Sequence, residues 1–170
     1  MNMKKILLDV KPFQETLHEN MCGPASLKIV LDFYEINKSE KELADLIGVV
    51  PGVGADDESI KKSAEALGFK AEIKNNSGFE DIEKWLDIGV PVIVDWFTRG
   101  RNDYSESETA DGHYSVVIGL DEEFIYLQDP EIGGIRKFER EKFLAVWFDF
   151  KGKYIKPEEL IIRQIIAIYK

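Results

Sequence analysis

Apolar positions in the first half of the chain recur every three or four residues, and in the second half they run in short continuous blocks. Residues 22–35 carry Leu27, Val30, Leu31 and Tyr34 at helical spacing. Residues 39–47 predict a second helix: Ser39 stands where an N-cap belongs and Glu42 follows three residues on, the pattern of a capping box. After the loop G-V-V-P-G-V-G, residues 56–67 predict a third helix, opened by an Asp cap and closed at Gly68. Residues 79–88 predict a fourth, ending at Gly89. The period then changes. P-V-I-V-D-W-F at 91–97 reads as a buried strand, followed by strands at 114–120, 124–128 and, after the Gly133-Gly134 turn, 135–138. Short strands are also expected at 4–10 and 69–74, and a pair of helical turns at 140–145. The closing segment L-I-I-R-Q-I-I-A-I-Y is rich in β-branched isoleucine, which favours a strand over the alternative of a closing helix. Helices early and strands late predict an α+β fold, with an N-terminal helical part packed on a C-terminal antiparallel sheet.

At 170 residues the chain is expected to form a single domain over 1–170, large enough to bury a core without covalent staples. Its one cysteine excludes an intrachain disulfide, so a cytoplasmic location is expected. The apolar run after Met1 meets Asp9 and Lys11 too soon for a signal segment, and nothing approaches the ~20 apolar residues of a membrane span. A net charge of −10, from 32 acidic against 22 basic residues, argues against a nucleic-acid partner, because phosphate binding rests on basic surface.

The single cysteine sits in E-N-M-C-G-P-A-S-L, at the junction between a polar run and a helix. Orphan backbone N–H groups and the helix dipole favour a thiolate at such a position. Gly23 is expected to admit a substrate backbone, and Pro24 suits a first helical turn, where its missing N–H costs nothing. A small buried thiol at a helix start is the alternative. A nucleophilic cysteine also needs a base and a group to orient that base. The chain has two histidines. His18 lies in a polar run and is expected to be exposed. His113 opens the strand H-Y-S-V-V-I-G, and Asp129 closes the next one in L-Q-D-P. If these strands are neighbours, Asp129 can fix the imidazole tautomer of His113. The alternatives for the two are a capping histidine and a turn-forming Asp-Pro. Candidate oxyanion donors are the backbone N–H of Cys22 and the side-chain amide of Gln14, which would otherwise read as an ordinary surface residue. A zinc site from His18, Cys22 and His113 is not expected, since their spacing lacks the paired pattern of zinc ligands and a fourth ligand is unassigned. The polar segment 98–112, with Asp103, Glu106, Glu108 and Asp111, is expected to be either a plain surface loop or a mobile lid favouring basic or neutral peptides. Trp96 and Trp147 are expected in the core or the cleft wall.

Taken together, Gln14, then M-C-G-P-A-S-L-K-I-V-L, then G-H-Y-S-V-V-I-G, then Q-D-P resemble the papain-like cysteine peptidases that process bacteriocin precursors after a double-glycine leader. The resemblance runs from about Lys11 to Trp147, and includes V-P-G-V-G-A-D-D-E-S-I and W-L-D-I-G-V-P-V-I-V. It implies a papain-like α+β fold, with Cys22 as nucleophile, His113 as general base and acid, Asp129 as orienting residue and Gln14 as oxyanion donor. It implies a peptide or protein substrate and no metal or organic cofactor. Gln14 stands further ahead of Cys22 than the resemblance leads one to expect, so the segment L-H-E-N-M must bulge. The implied activity is that of a cysteine peptidase or amidase. A degenerate peptide-binding module and an acyl or peptidyl transferase are the alternatives on the same residues. Leader cleavage and double-glycine specificity are not carried over with the fold.

Overall fold

The computed structural model describes residues 3–17, 20–51, 53–98, 112–152 and 154–170. Its elements are β1 (Ile6–Leu7), α1 (Cys22–Phe33), α2 (Glu40–Ile47), α3 (Asp57–Ala66), β2 (Lys70–Lys74), α4 (Phe79–Asp87), β3 (Val92–Phe97), β4 (Gly112–Leu120), β5 (Phe124–Asp129), β6 (Gly134–Glu139), α5 (Arg140–Val146), β7 (Phe148–Phe150), β8 (Leu160–Ile162) and β9 (Ile165–Tyr169). The helix boundaries follow the expected caps. Ser39 Oγ accepts the Glu42 amide at 3.1 Å while Glu42 Oε2 accepts the Ser39 amide at 2.8 Å, closing the capping box of α2. Asp56 Oδ1 accepts from the Ser59 amide at 2.9 Å and caps α3.

The main sheet is antiparallel throughout, in the order β2-β9-β3-β4-β5-β6, with β1 paired to β4. The Ile-rich C-terminal segment is a strand, as its β-branching predicts, but it is broken in two. Arg163 takes the left-handed region (φ 47) between β8 and β9. β8 pairs with β7 in a separate two-stranded sheet, and β9 inserts between β2 and β3. Each piece then finds a different set of donors and acceptors, so no backbone edge between β2 and β3 is left open.

The helices do not form one layer. α1, α2 and α3 pack on one face of the sheet through Leu27, Val30, Leu31, Leu43, Ile60 and Ala64, against Val116, Ile118 and Ile166. α4 and α5 pack on the other through Ile82, Leu86 and Phe143, against Trp96, Val117, Leu127 and Ile165. The reason lies in β3, β4 and β9, whose side chains are apolar on both faces and require cover on both. Leu27, Ile29, Val30 and Leu31 of α1 are essentially inaccessible, and burying each is worth about 1.5–3 kcal/mol. That anchors the helix whose first residue is Cys22. Among the described residues, no helix is long and apolar enough to cross a membrane.

Candidate active site

Strand alternation assembles the site. In β4 and β5, Val116 lies opposite Gln128, so Asp129 falls on the same face as Ser115 and His113. In β3 and β4, His113 lies opposite Trp96. The indole is fully buried, donates from Nε1 to Ser115 Oγ at 3.0 Å, and meets the imidazole edge-on with ring centroids 5.4 Å apart. His113 is thus held between a rigid aromatic wall and Asp129.

The His113 ring contacts Asp129 through Nε2, 2.6 Å from Oδ1. The Cys22 side chain also lies close enough to act on its charge. With Nε2 given to the carboxylate, Nδ1 is the nitrogen left for sulfur. Cys22 comes from the first turn of α1, where Ala25 makes the first intrahelical bond, to Met21 O at 3.0 Å. The amides of Cys22 and Gly23 precede that bond and Pro24 has no N–H, so the helix start presents orphan donors beside the half-buried thiol. The structure therefore brings Cys22, His113 and Asp129 into one chain of contacts.

Burial works against a charged His113, but hydrogen bonds to Asp129 and Cys22 and the negative charge of both raise it from the ordinary 6.5 to about 10. Asp129 is completely buried. Burial there favours the neutral acid, but His113 and then Arg136 outweigh it and hold the carboxyl below its usual range. The Arg136 guanidinium donates from Nε to Asp129 Oδ2. Because the folded His113 binds its proton more tightly than the unfolded one, its contribution to stability is whole below about pH 6.5 and is lost as pH rises through about 10. Unfolding free energy from urea titrations is expected to fall across that alkaline interval, and His113→Asn is expected to flatten the fall.

Gln14 lies beside the turn that follows Asp129. Its Nε2 donates to Glu131 O at 3.1 Å, and the neighbouring Glu15 amide donates to Pro130 O at 2.8 Å. Next along, the buried carboxylate of Glu40 accepts the amides of Thr16 and Leu17 at 2.9–3.2 Å. These bonds tie the segment before Cys22 to both α2 and the Asp129 turn. Asn20 (φ 67) then turns the chain into α1. His18 and residues 99–111, which include most of the expected lid and its acids, lie outside the described residues.

Gly23 has a packing role. A Cβ there would stand 2.6 Å from Ala55 Cβ, so its small size serves the packing of α1 against the segment before α3. Trp96 and Trp147 are core residues, as expected.

Arg136, Glu40 and Asp95 are absent from the sequence reading. Asp95 is buried in β3, and burial, then the Asp149 carboxylate, pushes its carboxyl well above the usual range. Its signal was available: one acid inside an otherwise apolar strand. His113, Asp129 and Glu131 offer donor atoms within 4.8 Å of one another. They are poorly suited to a metal cation, since both Asp129 oxygens are engaged and the second is held by a guanidinium.

A thiol at a helix start, joined through an imidazole to a carboxylate on an antiparallel sheet, is the arrangement of a papain-like peptidase fold. Solved structures share this fold. A C39-like peptidase from Bacillus anthracis superposes with a TM-score of 0.73, at 21% identity, covering 98% of each chain. A double glycine motif protease from an AMS/PCAT transporter, solved with its leader peptide, superposes at 0.65, with 19% identity and 98% of each chain covered. Residues 7–155 match the family described as Peptidase_C39 like, and the chain belongs to that family. It is also 27% identical over 153 residues, 88% of its length, to the SPbeta prophage-derived sublancin-168-processing and transport ATP-binding protein SunT of Bacillus subtilis (strain 168). The chain spans about a fifth of that relative, 19% of its length.

Proposed function

We propose that the chain is a cysteine peptidase or amidase that cleaves a peptide through an acyl-enzyme on Cys22. The observation that carries this reading is the His113 ring 2.6 Å from Asp129, with the Cys22 side chain as the other group that acts on its charge. An imidazolium beside a sulfur favours the thiolate. The thiolate adds to the scissile carbonyl, and the oxyanion is met by the Cys22 amide and by the second N–H of the Gln14 amide, whose first is on Glu131 O. His113 then gives its proton to the leaving amine as the C–N bond breaks. In the second half, His113 takes a proton from water, hydroxide oxygen bonds to the acyl carbon, and the thioester opens to release the acid and restore the thiolate. Asp129 keeps Nδ1 facing sulfur and balances the imidazolium charge.

Family membership supports a peptide substrate, as does the neighbour solved with a leader peptide. We take residues 1–170 to work as one peptidase domain. Its lone thiol, which must stay reduced, suits the cytoplasm.

The test is alkylation of Cys22 by iodoacetamide at pH 6, alongside turnover of a peptide library. Labelling at least tenfold faster than a free thiol, with cleavage lost in Cys22→Ala, is expected. A thiol no faster than free cysteine in a protein that still binds peptides overturns the peptidase reading in favour of a binding module. If the acyl group passes to an added amine in preference to water, the chain is a transferase instead.

A further inference from the structure

The carboxylate of Asp129 is inaccessible to solvent, so every lone pair it presents must be satisfied by protein. Oδ1 accepts two donors: it lies 2.6 Å from His113 Nε2 and 3.0 Å from the Glu131 amide. Oδ2 is held by Arg136 Nε. Arg136 comes from β6, where Leu127 lies opposite it and Gly134 lies opposite Asp129. Its side chain is 11% exposed, whereas its strand neighbour Ile135 is 52% exposed and faces away from the site. A long cationic side chain turned inward across two strands, onto the back of the carboxylate that faces His113, is costly to bury and is not a surface ion pair.

We propose that Arg136 is a positioning residue: its guanidinium pins one oxygen of Asp129 so that the other is presented to His113. This rests on the assignment of Cys22, His113 and Asp129 given above. Without the guanidinium, Oδ2 is a buried acceptor with a lost donor. The carboxyl then relaxes by taking a proton or by turning, and both outcomes weaken its bond to Nε2. His113 in turn loses the charge that keeps it cationic beside sulfur, and its activation of the thiol weakens. The other ionisable groups around this pair are Cys22 from α1, Glu131 in the turn, with Oε2 3.9 Å from His113 Nε2, and Glu15 in the segment bonded to Pro130. Trp96, packed on His113 from β3, carries no charge.

The experiment compares the full chain with Arg136→Met and Arg136→Lys, each shown to be folded by circular dichroism and melting. It reads the pH profile of Cys22 alkylation, the split between kcat and KM, and the downfield imidazole N–H proton by NMR. In Arg136→Met the acid limb of alkylation is expected to move up by about one pH unit. Its kcat falls by about a hundredfold with KM within about twofold, and the downfield proton broadens or disappears. Arg136→Lys, which keeps the charge without the planar fork, is expected to fall between the two and carries the test if the methionine variant does not fold. A folded variant that keeps the wild-type acid limb and N–H signal overturns the proposal and leaves Arg136 a structural residue. Failure of the wild-type thiol to show enhanced alkylation overturns the peptidase reading instead, which separates the two.

Discussion

Replacing His113 with alanine is expected to lower peptide turnover by about a thousandfold and to slow Cys22 alkylation at pH 6, with the fold kept but the stability that His113 contributes below about pH 10 lost. The first half follows from its two contacts. The ring is the only described link between the sulfur and Asp129, and general acid–base transfer of this kind contributes roughly 10²–10⁴. The second half follows from what remains. Asp129 would still be bonded to Arg136 and to the Glu131 amide, so the buried carboxylate keeps its charge compensated. Trp96 would lose one ring neighbour but keeps Phe138 and Phe143. Single-turnover kinetics and urea unfolding of the variant check the two halves separately. A variant that cleaves at more than about a tenth of the wild-type rate sinks the assignment of His113 as the proton carrier.

Asp129→Ala is expected to behave differently, because it strikes stability and chemistry together. It takes from the Arg136 guanidinium and a cationic His113 the buried carboxylate they share, and breaking a buried pair in this way costs about 3–5 kcal/mol. It also frees the imidazole to rotate, which is expected to lower kcat by a further hundredfold or so. The pH dependence distinguishes this from a simple cavity. Since Asp129 titrates below the usual carboxyl range when folded, its contribution is present above about pH 4 and is lost as pH falls through the folded value. Wild-type protein should therefore lose stability in acid more steeply than the alanine variant, as followed by denaturant midpoints. Asp129→Asn, which keeps a hydrogen-bonding oxygen without the charge, is expected to recover part of the rate.

Cys22, His113 and Asp129 were legible because each residue type is scarce or oddly placed. One is the only cysteine, one is one of two histidines, and one ends a strand before proline. Their local placement also followed from short-range rules. A helix start is marked by its caps and spacing, and a strand mouth by the change from polar residues to an apolar run. The caps of α2 and α3 and the isoleucine-rich strand were readable for the same reason, since the interactions that decide them lie within four residues or in side-chain shape.

Arg136 and Glu40 were not legible, because what each does depends on partners set by tertiary packing. Arg136 reads as an ordinary strand arginine until the β5–β6 register aims it at Asp129. Glu40 reads as the start of an exposed helix until the segment before Cys22 lays its amides across it. The packing of Gly23 on Ala55, 2.6 Å from where its Cβ would be, is likewise set only by the fold. The same holds for the helical layers: the early helices were visible, but that α4 crosses to the opposite face was decided by strands needing cover on both sides. By itself, the sequence determined which groups with reactive chemistry the chain carries and what local element each one begins or ends. Only the folded chain decided which of them meet and which buried charge holds another in place, because register, burial and long-range hydrogen bonds exist only once distant segments are packed.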